Sequence, residues 1–108
     1  MKIKQGVSLQ GLKLPMREVL AHADKIWKNH NQELVITSGT ETYPHSSRSL
    51  HYYGYALDFR TRDFSEHEKK EVYLQLNERL HTFGSYRILL EEDHIHVEWR
   101  GAIENTNY

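Results

Sequence analysis

The chain has no cysteine in its 108 residues. A disulfide framework is excluded, and so is any metal site built on thiolates; a bound metal has to rest on His, Asp or Glu. Long apolar runs are missing too. No stretch approaches the roughly 18 apolar residues of a membrane span, and the opening MKIKQGVSLQGLKLP lacks the apolar centre of a signal peptide. The expectation is a chain with no membrane association, cytoplasmic as synthesised. Neither sign of charge dominates, with 14 Lys and Arg against 15 Asp and Glu. No strong field therefore favours nucleic acid or an anionic lipid surface. There is no internal repeat, low-complexity tract or linker. Domains commonly run to about 100–150 residues, so residues 1–108 read as one domain with residues 101–108 as a loose tail. A monomer is expected.

What the chain does have is histidine, eight of them. Imidazole is the commonest metal ligand and a ready acid or base. His22, His30, His67 and His81 lie in helical or helix-end contexts with no acid or second histidine at ligand spacing, and read as structural or exposed.

Pro15 suits a first helical turn, where its missing N–H costs nothing. Met16, Val19, Leu20, Ala23, Ile26 and Trp27 then recur at spacings of three and four, one apolar face of a helix that ends over 29–32. The first twelve residues look extended or irregular. Residues 33–37 (ELVIT) read as a buried strand, and 40–50 as a polar loop of a length that is often functional. Over 55–60 the pattern alternates, with Tyr55, Leu57 and Phe59 on one side and Ala56, Asp58 and Arg60 on the other. Ser65 with Glu68 is a capping box. The helix after it aligns Val72, Tyr73, Leu76, Leu80 and Phe83, and Gly84 ends it. Residues 86–90 and 95–99 read as strands of a hairpin, with Glu91, Glu92 and Asp93 at the turn. The order predicts an α+β fold: a small, mostly antiparallel sheet with two main helices packed against it.

Two segments carry chemistry, Ser49–Asp58 (SLHYYGYALD) and Asp93–His96 (DHIH). A catalytic zinc takes three N or O ligands and keeps a position for water, and a carboxylate that is not a ligand can take that water's proton. His51 and Asp58 stand seven apart around a glycine that permits a tight turn. A histidine from another strand would complete the set: His96, or His94, which shares its strand face. Asp93 sits at that strand's entry, placed to act as general base, with Glu91 and Glu92 as rivals of poorer spacing. The H-E-x-x-H helix motif is absent. The plain alternatives are a surface histidine and a strand-edge acid for His51 and Asp58, a core histidine for His96, and a turn acid for Asp93.

The pattern S-x-H-x-x-G-x-A-x-D followed by D-x-x-H resembles the zinc D-Ala-D-Ala carboxypeptidase and L-Ala-D-Glu endopeptidase family of cell-wall enzymes. The likeness spans residues 7 to 99, including the strand ending Thr37-Ser38-Gly39, and short forms of this length resemble bacteriophage peptidases of the endolysin kind. It implies one Zn²⁺ per chain on His51, Asp58 and His96, at one end of the sheet. It also implies Asp93 as the catalytic base and a bacterial peptidoglycan peptide as substrate, with release to the cell wall by another factor. Many of these peptidases carry an arginine shortly after the Ser-Gly. Here Thr40, Glu41 and Thr42 follow, and Arg48 is the nearest arginine able to steady the oxyanion. Ser49, His94 and His45 are assigned to substrate, and Tyr43, Tyr52 and Tyr53 to cleft walls or packing at the loop base. Gly54 and Ala56 are read as structural.

The segments His45–Asp58 and His94–His96 also resemble the Hedgehog signalling domain, which implies the alternative of a catalytically inactive zinc-bearing binding module. That domain's calcium site needs a cluster of acids ahead of the first motif. Only Glu41 is present there, so calcium is not expected. A third reading is a histidine-rich domain that holds no metal.

Overall fold

A computed structural model describes residues 1–41 and 49–101. Helix α1 (Leu14–Asn29) has Pro15 in its first turn and buries Met16, Val19, Ala23, Ile26 and Trp27, the face given by the apolar spacing. Asn31 turns the chain away with φ 61°, a left-handed conformation that asparagine tolerates. Helix α2 (Glu66–His81) starts where Ser65 Oγ accepts the Glu68 backbone N–H at 3.2 Å, a cap worth about 1 kcal/mol. It buries Val72, Leu76 and Leu80.

The described residues form five strands, β1 (Lys2–Ile3), β2 (Val35–Ser38), β3 (Ala56–Arg60), β4 (Tyr86–Leu90) and β5 (His94–Trp99). They form one sheet in the order β1-β2-β3-β5-β4. Only β1 and β2 are parallel; the other pairings are antiparallel. The expected α+β architecture is thus present, with strand edges displaced by a residue or two. β1 is an addition. Two residues are too few to show an alternation, and β1 is recruited by pairing Lys2 with Val35 and Ile3 with Ile36.

Two local expectations fail. Phe83 does not join the apolar face of α2. The helix stops at His81, and Phe83 lies beyond it, 55% exposed and stacked on His22 at 4.7 Å between ring centres. Gly84 is not the helix cap either; Thr82 holds that place. A side chain at Gly84 would collide with the Trp99 ring, so close approach of β5 accounts for the glycine.

The core lies between the helices and one face of the sheet. Leu57 and Phe59 of β3 and Ile95 and Val97 of β5 are fully buried there. Each such side chain contributes roughly 2 kcal/mol through removal from water. Trp27 packs edge-on against Phe59 at 5.7 Å, and its indole N–H donates to the Arg60 carbonyl at 3.2 Å, so its one polar group is satisfied. Side chains alternate along a strand. Asp58 and Arg60 therefore share the opposite face with His94, His96 and Glu98. Among the described residues no helix covers that face, and it is where the chemistry-bearing residues gather.

Candidate metal centre

The β3–β5 ladder pairs Asp58 with His96, Arg60 with His94 and Ala56 with Glu98. Asp58 and His96 are consequently direct neighbours, with Asp58 Oδ1 2.8 Å from His96 Nδ1. Ala56 is fully buried, and its small side chain leaves room for the Glu98 carboxylate opposite.

His51 arrives from the segment preceding β3. Ser49 Oγ accepts the His51 backbone N–H at 3.2 Å, and Gly54 N–H closes back on the His51 carbonyl at 3.1 Å. Gly54 has φ 83°, and a side chain there would run into the Gly11 carbonyl. The Lys13 N–H donates to the Gly54 carbonyl at 3.1 Å. The motif glycine thus locks this turn against the segment leading into α1. His51 is delivered buried, 5% exposed, with Nε2 3.4 Å from Asp58 Oδ1.

One ligand atom each from His51, Asp58 and His96 lies within 4.8 Å of the others. These three residues could hold a metal ion. Ligands at about 2.0–2.1 Å around a tetrahedral cation stand roughly 3.3 Å apart, close to the His51–Asp58 separation of 3.4 Å; Asp58 and His96, at the hydrogen-bond distance of 2.8 Å, have to part slightly to admit an ion. The group lies on the open face, midway along β3 and β5, and not at one end of the sheet as expected. The strand register brings Asp58 and His96 together in mid-ladder.

The outer nitrogens of both rings support this reading. His51 Nδ1 lies 3.0 Å from the Gly39 carbonyl. A carbonyl only accepts, so this nitrogen carries the hydrogen and Nε2 turns inward. His96 Nε2 lies 2.8 Å from Glu98 Oε1, and Arg100 holds the other Glu98 oxygen at 2.9 Å. Burial disfavours the Glu98 charge, but the His96 and Arg100 hydrogen bonds outweigh it and hold the carboxyl below its usual range. His96 therefore donates outward and presents Nδ1 to Asp58. Two inward nitrogens and a carboxylate oxygen converge, so the space between them calls for protons or a cation. Outward hydrogen bonds of this kind orient metal-binding histidines and raise their basicity. Asp58 stays ionised: burial opposes its charge, and the hydrogen bonds from His51 and His96 overcome that and press its pKa far down.

Glu41 shapes the Gly39 corner. Its carboxylate accepts the Gly39 N–H at 2.9 Å, the Ser38 hydroxyl at 2.8 Å and the Ser8 N–H at 3.1 Å. The acid considered for calcium is engaged in placing the carbonyl that orients His51.

Asp93 and His94 flank the group. Asp93 is on the surface, and its Oδ1 accepts the His94 Nδ1–H at 2.7 Å. That hydrogen bond is the largest influence on Asp93 and lowers its pKa. The other His94 nitrogen, Nε2, sits 3.9 Å from Asp58 Oδ2. Asp93 is thus linked to the group through the His94 ring, and His96, not His94, joins the convergent set. Glu91 and Glu92 are exposed on the turn. Tyr52 and Tyr53 are both exposed, edge to face at 5.1 Å beside His51. Tyr43, His45, Arg48 and residues 102–108 of the expected tail lie outside the described residues.

Sequence reasoning overlooked Glu98. Its signal was there, since His94, His96 and Glu98 continue one period-two face. The Gly39 carbonyl left no side-chain signal at all. Comparison with known proteins gives no match: no family model, curated protein or solved structure aligns with the chain.

Proposed function

We propose that this protein is a zinc-dependent peptidase acting on peptide bonds of bacterial peptidoglycan. The observation that carries the reading is the convergence of His51 Nε2, Asp58 Oδ1 and His96 Nδ1, with both outer ring nitrogens already committed to acceptors. The likeness of the two motifs to the zinc cell-wall peptidases supports the choice of metal and substrate.

Bound there, zinc supplies Lewis-acid polarisation of a peptide carbonyl and eases the loss of a proton from water. The chain's own residues do the rest. Asp93 is ionised, open to solvent and tied to the group through His94. It accepts the proton of the attacking water and returns it to the departing amine, a role worth about 10²–10⁴ in rate. His94 holds the carboxylate in place and walls the cleft. Among the described residues no helix covers this sheet face, and Asp58 and His96 keep part of their side chains exposed, so a peptide can reach the group. Arg48 steadies the developing oxyanion, and Ser49 and His45 contact substrate.

The test is zinc content and release of peptides from purified cell wall, wild type beside Asp93→Ala. About one zinc per chain in both, with release by wild type alone, is the expected result. Release that survives in Asp93→Ala removes Asp93 from the reaction. Zinc in both with no release from any muropeptide favours the non-catalytic binding module.

A further inference from the structure

A second feature of the open face is a pocket of about 300 Å³ lined by Lys4, Thr37, Arg60, Arg62, Asp93 and His94. It borders the metal group directly. His94, a lining residue, stands with Nε2 3.9 Å from Asp58 Oδ2 without joining the group, and Thr37 donates its hydroxyl to the Asp58 carbonyl at 3.4 Å. Its cations come from three places in the fold. Lys4 follows β1, Arg60 ends β3 opposite His94, and Arg62 lies just past β3. Among the described residues none of these cations has an ion-pair partner. Asp93, the one acid among the described residues lining the pocket, is engaged by His94 at 2.7 Å.

We propose that this pocket is an anion subsite that takes a substrate carboxylate within about two residues of the bond attacked, so that the protein selects acidic peptides. This deepens the peptidase reading and rests on it for the identity of the peptide. Placing unpaired cations together on a sheet face is unfavourable until an anion arrives. Guanidinium groups match a carboxylate in shape and can donate two parallel hydrogen bonds to it. Arg60 and His94 each lie two ladder positions from Asp58 and His96, which puts that anion about two residues along from the metal group, given the ~3.3 Å rise of an extended chain.

The probes are a stem tetrapeptide of L-alanine, D-glutamate, L-lysine and D-alanine with its carboxylates free, and the same peptide with them amidated. Each is titrated into zinc-loaded protein by calorimetry. The acid should bind about tenfold more tightly than the amide, and added salt should shrink the difference. In Arg60→Gln/Arg62→Gln the preference should vanish with zinc content unchanged. Lys4→Gln/Arg62→Gln, which alters only exposed side chains, should weaken it in a chain whose fold is not at risk. Equal binding of acid and amide overturns the proposal, as does binding of neither. A preference undiminished in both double variants also overturns it, since the carboxylate would then sit on the metal. Binding is read without turnover, so a failure to cleave these peptides bears on the peptidase reading alone.

Discussion

Asp58 and His96 stand directly opposite each other across the β3–β5 ladder, carboxylate Oδ1 to ring Nδ1 at 2.8 Å. A one-residue slip of β5 would turn His96 into the core and bring an apolar neighbour out. The same register that buries Ile95 and Val97 against the helices therefore assembles two of the three residues of the candidate metal group. Core packing and the candidate site are one constraint, and the consequences can be tested.

Metal binding should be visible as stability. A ligand at a hundred times its Kd adds about 2.7 kcal/mol, which in a domain of this size moves Tm by on the order of 10 °C. Zinc added to chelator-treated wild type should raise Tm by that amount. It should do little for His51→Ala, Asp58→Ala or His96→Ala, each of which removes one of the three candidate ligands. Calorimetric melts with and without zinc check this, and an equal shift in all four proteins would place the metal elsewhere.

Glu98→Gln should weaken zinc binding by about 10–100-fold with the fold retained. Glu98 contributes no ligand to the group. It accepts from His96 Nε2 at 2.8 Å and so fixes which nitrogen faces Asp58. Competition against a chromophoric chelator measures the loss, and an unchanged affinity would show that the ring is oriented by strand geometry alone.

The metal-free and zinc-loaded forms should respond to pH in opposite senses. Burial works against charge on His96, but hydrogen bonds to Asp58 and Glu98 prevail and raise its pKa above the ordinary 6.5. The stability it contributes is complete below that unfolded value and is lost as pH rises through the folded one. Asp58 and Glu98 are lowered, so their contribution is present above their unfolded values and is lost as pH falls through the folded ones. Chelated protein should thus be most stable in mild acid and weaken toward pH 8. Zinc has to displace protons from the histidines, so its affinity grows with pH. Melts of both forms between about pH 5 and 8 should diverge as pH rises; parallel curves would contradict the arrangement of the two rings.

Gly54→Ala should destabilise the chain by about 1–3 kcal/mol through its left-handed backbone, and by more through collision with the Gly11 carbonyl. Zinc affinity should fall with it, because this turn delivers His51. Urea unfolding together with zinc titration reads both effects. Lost stability with unchanged affinity would show that His51 is held by Gly39 alone.

Much of the fold was legible along the chain because its signals are local. The apolar face of α1, the cap at Ser65 and the alternation in β3 each arise within a few residues and appear as expected. Phe83 misled because it continues the helical spacing of α2 past the point where the helix stops, and β1 was missed because two residues carry no period.

By itself the sequence determined the chemistry available: without cysteine, a metal can rest only on nitrogen and oxygen, and His51, Asp58 and His96 are spaced to supply them. Tertiary structure decided how those atoms meet. Register set Asp58 against His96, the Gly39 carbonyl turned His51 inward, Glu98 did the same for His96, and Lys4 came beside Arg60 and Arg62 through the pairing of β1 with β2. Each of these depends on backbone positions far apart in the chain, and residue identity along a strand cannot encode which partner strand lies beside it or at what offset.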